Sequence, residues 1–335
     1  RWSAAASASV DVLDAAKLAE IRSASASLRQ AQASLRAASS ALRFSLRQAF
    51  SQLLFAQGSI EVSRNIRDLR SRGAKLVTLR YDSGRESKGN MLRAKAQFAQ
   101  AEADLNQALR NLRSNQKALD RQLGLDEFAA VVATGALSAL PAPPSSGDPA
   151  EVLARRPDVA VQEAAVQRAR AALSAARSAL WPSLSADYTR GRTGASEFPG
   201  SAYSWSGGLT LKYSLFGAGP TSTYYAVKAA GGRLTQAEQA LRVARGQAVA
   251  EVESAWASYA GAADQVAVQR ALLEAARQRN DEADVRYASG LLTYDNWEII
   301  ASDRINNERQ ALNAELNAVV SQAAWEKALG KELGE

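Results

Sequence analysis

The side chains that carry out most enzyme chemistry are missing from this sequence of 335 residues, because it contains no Cys and no His. Their absence excludes cysteine nucleophiles, Ser-His-Asp triads, HExxH metal sites and Cys/His zinc sites. Carboxylates remain, but no Asp/Glu pair lies in an apolar, pocket-like stretch. Asp295 and Glu298 stand out by spacing alone, since residues three apart share one face of a helix. The sequence therefore does not indicate an enzyme, and it predicts no cofactor and no definite metal site.

The net charge of +7 raises the question of an anionic partner, either nucleic acid or a membrane surface. Along most predicted helices Arg alternates with Asp and Glu, which is typical of a solvated face. A denser basic stretch lacks the interleaved aromatic residues of a single-strand binder, so we predict no nucleic-acid partner. This stretch contains Arg64, Arg67, Arg70, Arg72, Lys75, Arg80, Arg85 and Lys88.

The sequence repeats itself at an offset of 206 residues. Arg80-Tyr81-Asp82-Ser83-Gly84 returns as Arg286-Tyr287-Ala288-Ser289-Gly290, and Leu123-Gly124 returns as Leu329-Gly330. Rows at seven-residue spacing also match, and they predict a duplicated helical hairpin with each row as a left-handed coiled-coil seam. The rows are Ile21, Leu28, Leu35, Leu42, Ala49 and Ala56, and Val227, Leu234, Leu241, Ala248, Ala255 and Ala262.

Two helical stretches are too long for a compact domain. Residues 15–80 and 221–287 contain no Pro, and at about 1.5 Å per residue each would span roughly 100 Å. A Ser-Gly break follows each one and leads into a shorter predicted helix, at 88–124 and at 293–329. A further helix at 150–180 is predicted to stack on the first short one. These lengths indicate a coiled coil or part of a tube.

Three stretches alternate apolar and polar residues, at 2–13, 183–191 and 205–215, and predict strands with one apolar face. Each is near the ~10 residues that a strand needs to cross a bilayer. Open sheet edges cannot face lipid, so the strands must close into a barrel, and so few strands must share it between subunits. Trp2, Tyr188, Trp205 and Tyr213 fall where aromatic girdles are expected.

The repeat also predicts a domain plan. The counterpart of residues 150–204 is expected before Arg1, so roughly 50–60 further residues are expected upstream, including a hairpin partner for the first strand. The predicted parts are a β-barrel strand at 1–13, a helical hairpin at 14–124, an equatorial linker at 125–150, a half-helix at 151–181, a strand hairpin at 182–217, a second helical hairpin at 218–330 and a tail at 331–335.

Several motifs resemble one family in their order and spacing. Arg156-Pro157-Asp158, within the run 153–159, is followed by Gln162-Glu163-Ala164 and by Trp181-Pro182-Ser183-Leu184. Residues 211–217 resemble the family's strand-to-helix junction, and the two Arg-Tyr-x-Ser-Gly segments resemble its periplasmic hairpin tips. Over essentially its whole length, the chain resembles the TolC-like outer-membrane factors.

This resemblance implies a mostly α fold with a small membrane β part. Three chains would form one α-helical barrel across the periplasm, capped by a shared 12-stranded β-barrel in the outer membrane of a Gram-negative bacterium. Such a homotrimer, set in outer-membrane lipid, is a passive exit duct for a tripartite efflux pump or type I secretion. Its partners are a periplasmic adaptor protein and an inner-membrane transporter of RND or ABC type.

The resemblance also implies two sets of site residues. The tips that meet the adaptor correspond to Tyr81, Asp82, Ser83 and Gly84, and to Tyr287, Ala288, Ser289, Gly290 and Leu291. Family members close the periplasmic end with acidic rings just beyond the second tip. The candidates here are Asp295 and Glu298, with Asp303 as a further one, and rings of three like charges favour cations.

A competing hypothesis is a soluble coiled-coil scaffold that binds nucleic acid or membrane through its basic face. The two hypotheses differ in the strand hairpin, for which a scaffold has no use.

Overall fold

A computed structural model describes residues 2–125, 130–139, 141–142, 145–178, 181–195, 202–213 and 219–331, apart from the side chains of 202, 219 and 220. Its elements follow the order β1-α1-α2-α3-α4-β2-β3-α5-α6. The strands are β1 (Trp2–Leu13), β2 (Ser183–Gly194) and β3 (Ala202–Lys212). The helices are α1 (Ala15–Asp82), α2 (Lys88–Leu123), α3 (Pro149–Arg155), α4 (Pro157–Ser178), α5 (Gly219–Ala288) and α6 (Tyr294–Ala328).

The chain divides into two units. The first unit comprises Arg1–Ala37 and Arg156–Ala248, and the second comprises Ala38–Arg155 and Val249–Glu335. Within the described ranges, no helix pairs enough length with enough apolar character to cross a bilayer.

The three strands of the first unit form one antiparallel sheet in the order β1-β2-β3. The pairing register sets Val10 beside Ala186 and Leu209 on one face, and Ser9 beside Asp187 and Gly208 on the other. Because side chains alternate along each strand, one face is mostly apolar and the other is polar. The apolar side chains of that face are largely open to solvent: Leu209 is 74% exposed.

The helices of the first unit are joined by polar bonds. Arg29 of α1 donates to Gln167 of α4 at 2.8 Å, and Arg245 of α5 lies 2.7 Å from Glu163 of α4. All four side chains lie at or near the surface, where such contacts contribute little to stability. The relative position and register of these helices therefore depend more on the apolar seam between them.

The seam of α1 in this unit differs from the predicted one. It buries Ala19, Ala26 and Ala33, again at seven-residue spacing. The predicted row begins two residues later, and its first members Ile21 and Leu28 are 65% and 61% exposed. The first members of the predicted row are therefore not the seam in this unit, because small side chains allow the closest helix approach, whereas Ala56 at the end of the row is buried in the second unit. The larger residues stay uncovered.

The core of the second unit draws on all four of its long helices. One cluster combines residues of α1, α2, α5 and α6, and it lies next to the tips. Helix α6 also buries three glutamates, each paired with an arginine of another helix. The pairs are Glu298–Arg70 at 2.6 Å, Glu308–Arg277 at 3.5 Å and Glu326–Arg43 at 3.1 Å. The cluster itself consists of Ala74, Val77, Met91, Ala94, Ala283, Tyr287, Tyr294 and Trp297.

The duplication is visible in the ends of the short helices. Gly124 and Gly330 both adopt left-handed φ values, +70° and +80°. The next N–H after each glycine, that of Leu125 or Lys331, donates to the carbonyl five residues earlier, at 3.0 and 3.2 Å. This is the same helix-terminating turn, 206 residues apart.

The predicted half-helix at 151–181 is two helices, α3 and α4. Pro157 is the first residue of α4, where its missing N–H is tolerated, and residues before a proline disfavour the helical conformation. The described residues 130–139 of the predicted linker contain no helix or strand, and they contact the helices: Gln57 exchanges two 3.0 Å hydrogen bonds with the backbone of Ala133. Outside the described residues lie 196–201 and 214–217 of the predicted strand hairpin, residue 218 of the predicted second helical hairpin, and 332–335 of the tail.

Candidate functional site

The first tip connects α1 to α2 through a turn that requires glycine. Gly84 has φ +71°, which only glycine adopts without strain. Its N–H donates to the Tyr81 carbonyl at 2.9 Å, and the N–H of Arg85 donates to the Arg80 carbonyl at 2.8 Å. These two bonds satisfy carbonyls that the helix end leaves free.

The second tip repeats this turn between α5 and α6. Gly290 has φ +82°, and its N–H donates to the Tyr287 carbonyl at 3.1 Å, while Leu291 donates to Arg286 at 2.9 Å. The predicted tip residues thus lie at the two turns. Ala288 and Ser289 are exposed with Gly290 and Leu291, as are Asp82, Ser83 and Gly84 at the first tip.

The two tyrosines of the repeat differ in burial. Tyr81 is half-buried, whereas Tyr287 is completely buried. The Tyr287 ring stacks on Trp297, with 4.8 Å between the ring centroids. The guanidinium group of Arg80, on α1, lies 4.6 Å from the centroid of the Tyr287 ring. The Tyr287 hydroxyl donates to Glu86 at 2.8 Å. The buried tyrosine therefore links α5 to both sides of the first tip.

Glu86 accepts hydrogen bonds on both carboxylate oxygens. One oxygen accepts from Asn90 at 2.8 Å and from the Ser87 N–H at 3.0 Å, and the other accepts from Tyr287. Burial raises the pKa of Glu86, but these hydrogen bonds and the Arg80 charge lower it by more, so the net shift is downward. Burial is the main cause that raises the pKa of the Tyr287 hydroxyl far above its usual range, and the hydrogen bond to Glu86 is the second. The hydroxyl therefore stays a neutral donor.

Trp297 fills the space between α1 and α5 because α1 has a glycine there. A Cβ atom at Gly73 would lie 2.7 Å from the Trp297 ring. The indole Nε1 donates to Asp284 of α5 at 2.6 Å, and Asn280 donates to the same carboxylate at 3.1 Å. Trp297 therefore packs between helices.

Glu298, one of the gate candidates, is enclosed by its own chain. It is 4% exposed and pairs with Arg70 at 2.6 Å. It also accepts from Gln97 at 2.7 Å and from Ser302 at 2.8 Å. Its charge is therefore compensated inside the helical bundle.

The other two gate candidates are open to solvent. The Asp295 side chain is 77% exposed and lies 3.8 Å from Arg93, while that of Asp303 is 48% exposed and lies 3.8 Å from Arg279. Asp295, Glu298 and Asp303 line one open groove on α6. The structure thus brings the three carboxylates together along one groove.

The two tips differ in charge although their backbones match. Residues 64–95 contain ten Lys and Arg against three Asp and Glu, whereas residues 270–301 contain four against six. Arg85 and Arg93 of the first tip correspond to Leu291 and Ile299, which are 79% and 63% exposed. Sequence analysis noted the basic stretch but missed this asymmetry, which a comparison of the two repeats position by position would have found.

The Arg156-Pro157-Asp158 motif forms a local clamp at the start of α4. Arg156 is 7% exposed and donates to both Asp158 oxygens, at 2.9 and 2.7 Å. Burial raises the pKa of Asp158, but the bonds and charge of Arg156 lower it by more. Pro182 lies directly before β2. The motif fixes the start of α4, and it is separate from both tips along the sequence.

Comparisons with known proteins agree on one family. The sequence model of the family described as "Outer membrane efflux protein" matches residues 1–125 and 149–331. The cobalt-zinc-cadmium resistance protein CzcC of Cupriavidus metallidurans is 29% identical over 142 residues, which is 42% of this chain and 34% of that protein. The matched part therefore spans about a third of this curated relative.

Two solved structures show the same fold. The outer-membrane channel OprN is 20% identical, with a TM-score of 0.86 over 98% of this chain and 80% of that one. The outer membrane protein VceC of Vibrio cholerae is 19% identical, with a TM-score of 0.83 over 99% of this chain and 87% of that one. Since the family match covers most of its length, the chain belongs to the outer membrane efflux protein family, which confirms the family and the mostly helical fold predicted from the sequence.

Proposed function

We propose that the chain is one subunit of a passive homotrimeric duct in the outer membrane of a Gram-negative bacterium. The duct serves an efflux pump or a type I secretion system. A periplasmic adaptor joins it to an inner-membrane transporter of RND or ABC type, which supplies the energy. The duct itself makes and breaks no covalent bond and needs no cofactor, in keeping with a sequence that lacks Cys and His.

The observation that carries this proposal is the exposed apolar face of the sheet. Trp205, Leu209 and Leu211 are 67–74% exposed on β3, an arrangement that water disfavours and lipid favours. The described strands β1 and β3 each have one neighbour in the sheet. Their free edges need partners before this face can meet lipid, and further copies of the chain supply them in a shared barrel.

A second feature supports assembly from several copies. The exposed row on α1 includes Ile21, Leu28 and Leu35, and it continues to Leu42, which is 46% exposed. Apolar residues at seven-residue spacing are the pattern that a neighbouring helix covers. We assign this cover to a second copy of the chain.

The tips are the proposed docking sites for the adaptor, and their chemistry differs. On the first tip, Leu92 is 53% exposed between Lys88 and Lys95, and Leu79 is 67% exposed near Lys75. Such a surface fits an amphipathic helix with carboxylates around an apolar row. The second tip instead exposes Leu291 and carries more acidic than basic residues, so one adaptor hairpin meets a basic tip and another meets a tip of opposite charge.

The proposed gate uses the groove on α6. Asp295 and Asp303 provide charges that solvent and passing ions reach, and three copies would form two acidic rings. Glu298 holds the helix in place through Arg70. The gate therefore divides its three carboxylates into two that meet ions and one that anchors α6.

Detergent dependence and subunit number test the proposal together. We expect the protein to leave bacterial outer membranes only with detergent and to have the mass of three chains in the detergent complex. A protein that stays monomeric, or that is soluble without detergent, would support the scaffold hypothesis and overturn the duct.

A further inference from the structure

Two arginines interrupt the apolar face of the sheet. Arg190 and Arg192 lie two residues apart on β2, so both side chains point to the same face, and both are exposed. Their neighbours on β3 are aromatic, and their neighbours on β1 are alanines too short to cover them. The cross-strand rows are Ala6–Arg190–Trp205 and Ala4–Arg192–Tyr203.

These arginines lie toward one particular end of the sheet. β1 leads directly into α1 after Leu13, and β2 begins at Ser183 a few residues after α4, so the helices join the strands at one end. At about 3.3 Å per residue, Arg190 and Arg192 are roughly 23 and 30 Å along β2 from Ser183. They therefore lie toward the end away from the helices.

Among the described strand residues, no carboxylate shares the face of Arg190 and Arg192. Among the described residues of the sheet, the acidic side chains Asp11 and Asp187 belong to the opposite, polar face. The two guanidinium groups start from Cα atoms about 7 Å apart, and they repel each other. Two uncompensated cations side by side call for an anion from outside the chain.

Aromatic side chains surround the pair at this end. Trp205 and Tyr203 are 69% and 67% exposed. The Trp2 ring lies across Gly194, where a Cβ atom would be 2.6 Å from it. Exposed Trp and Tyr with an apolar body and a polar edge mark the boundary between the apolar and polar layers of a membrane.

We propose that Arg190 and Arg192 form a binding site for the phosphate groups of a glycolipid in the outer leaflet. The site rests on the proposed function, since the helices mark the periplasmic side and the opposite end of the sheet then lies at the outer leaflet. A guanidinium group holds a phosphate with two parallel hydrogen bonds, and its aliphatic stem lies along the apolar face.

The position favours this ligand energetically. An arginine on a lipid-facing strand is strongly unfavourable at the middle of a bilayer and nearly neutral near the interface. Near an anionic surface each arginine is attracted further. A phosphate layer therefore turns two side chains that would weaken the sheet into anchors that fix its depth in the membrane.

The test measures binding of diphosphorylated lipid A to the detergent-solubilised trimer by fluorescence anisotropy, with phosphatidylglycerol and phosphatidylcholine as competitors. We expect lipid A to compete best and phosphatidylcholine worst. R190Q/R192Q should lower lipid A affinity roughly thirtyfold. R190K/R192K should lose less, because ammonium groups keep the charge without the paired hydrogen bonds of a guanidinium group. R168Q/R233Q removes two exposed arginines from α4 and α5 and should stay within twofold of the parent.

Two results would overturn the site: equal binding by R190Q/R192Q and the parent, or phosphatidylglycerol competing as well as lipid A, which would indicate any anionic lipid. Bilayer conductance of the same samples separates this inference from the proposed function. If the trimer conducts ions but binds lipid A independently of Arg190 and Arg192, only the lipid site is contradicted. If the protein never conducts ions, the proposed duct itself is contradicted.

Discussion

The hydroxyl of Tyr287 donates a 2.8 Å hydrogen bond to the carboxylate of Glu86, and so ties the end of α5 to the turn between α1 and α2. The two residues lie 201 positions apart in the sequence. The bond joins the two repeats of the duplicated hairpin. It has no equivalent from Tyr81, because the position that corresponds to Glu86 in the second repeat is Leu292.

Replacing Tyr287 with phenylalanine removes this bond and keeps the ring that stacks on Trp297. We expect a loss of about 1–2 kcal/mol in the free energy of unfolding, because a hydrogen bond to a charged acceptor stabilises more than a neutral one. Thermal unfolding followed by circular dichroism measures the change. Tyr81→Phe is the matched control at the equivalent position, where we expect less than about 0.5 kcal/mol. Equal losses in both variants would contradict the role of the bond.

The same contact predicts how the tip responds to acid. The folded-state pKa of Glu86 lies below its ordinary value, so its stabilising contribution is complete above the ordinary value of about 4.3 and fades as the pH falls through the depressed pKa. Amide protection factors at the end of α5, which correct the exchange rates for their intrinsic pH dependence, should therefore stay high from neutral pH down to about 4.3 and fall below it. Glu86→Gln should flatten this dependence, and an unchanged acid response in that variant would argue against Glu86 as its source.

The gate candidates should separate into two kinds of variant. Glu298→Ala leaves Arg70 buried without its partner, and we expect a loss of about 3–5 kcal/mol of stability. Asp295→Asn alters an exposed side chain, so its stability should change by less than about 0.5 kcal/mol. Chemical denaturation measures both. Strong destabilisation of Asp295→Asn would contradict an exposed Asp295, and it would indicate that another subunit covers the groove in the assembly.

Two helical glycines predict opposite effects of alanine. At Gly73 the added Cβ atom would clash with Trp297 at 2.7 Å, and we expect Gly73→Ala to lose about 1–2 kcal/mol through overpacking, even after the gain in helix propensity. At Gly231 an added Cβ atom would have open space, with no side chain or neighbouring backbone of the described residues within 4 Å, so Gly231→Ala should gain about 0.4–1 kcal/mol. Melting temperatures of the two proteins give the comparison, and a stabilised Gly73→Ala protein would refute the close approach of Trp297.

Much of the fold follows from local sequence rules. The glycines Gly84 and Gly290 marked both tips because a left-handed turn needs them, and Gly124 and Gly330 marked the next helix ends in the same way. Strict alternation predicted all three strands, since a half-exposed strand has a period of two. These features depend on neighbours in the sequence, which the sequence displays directly.

Features set by distant partners could not be predicted in this way. The seven-residue row of Ile21 and Leu28 met every rule for a seam, yet α1 buries Ala19 and Ala26 within its own chain. A periodic pattern shows that a face will be covered, but it does not show whether the cover is the same chain or another copy.

The acidic candidates show the same limit of pattern reasoning. Asp295 and Glu298 share a helical spacing, but Arg70, 228 residues before Glu298, decides which carboxylate is buried. Spacing alone fixes the side of a helix, whereas burial depends on which helix packs there. The gate of acidic rings stays a prediction, with Asp295 and Asp303 as its exposed carboxylates.

Ion conductance across a planar lipid bilayer tests the central claim most directly. Purified trimers added to one side should insert and produce uniform conductance steps, and Asp295→Asn with Asp303→Asn should reduce the preference for cations while the steps persist. Protein that leaves the bilayer electrically silent, although it is folded and trimeric, would contradict a water-filled exit duct.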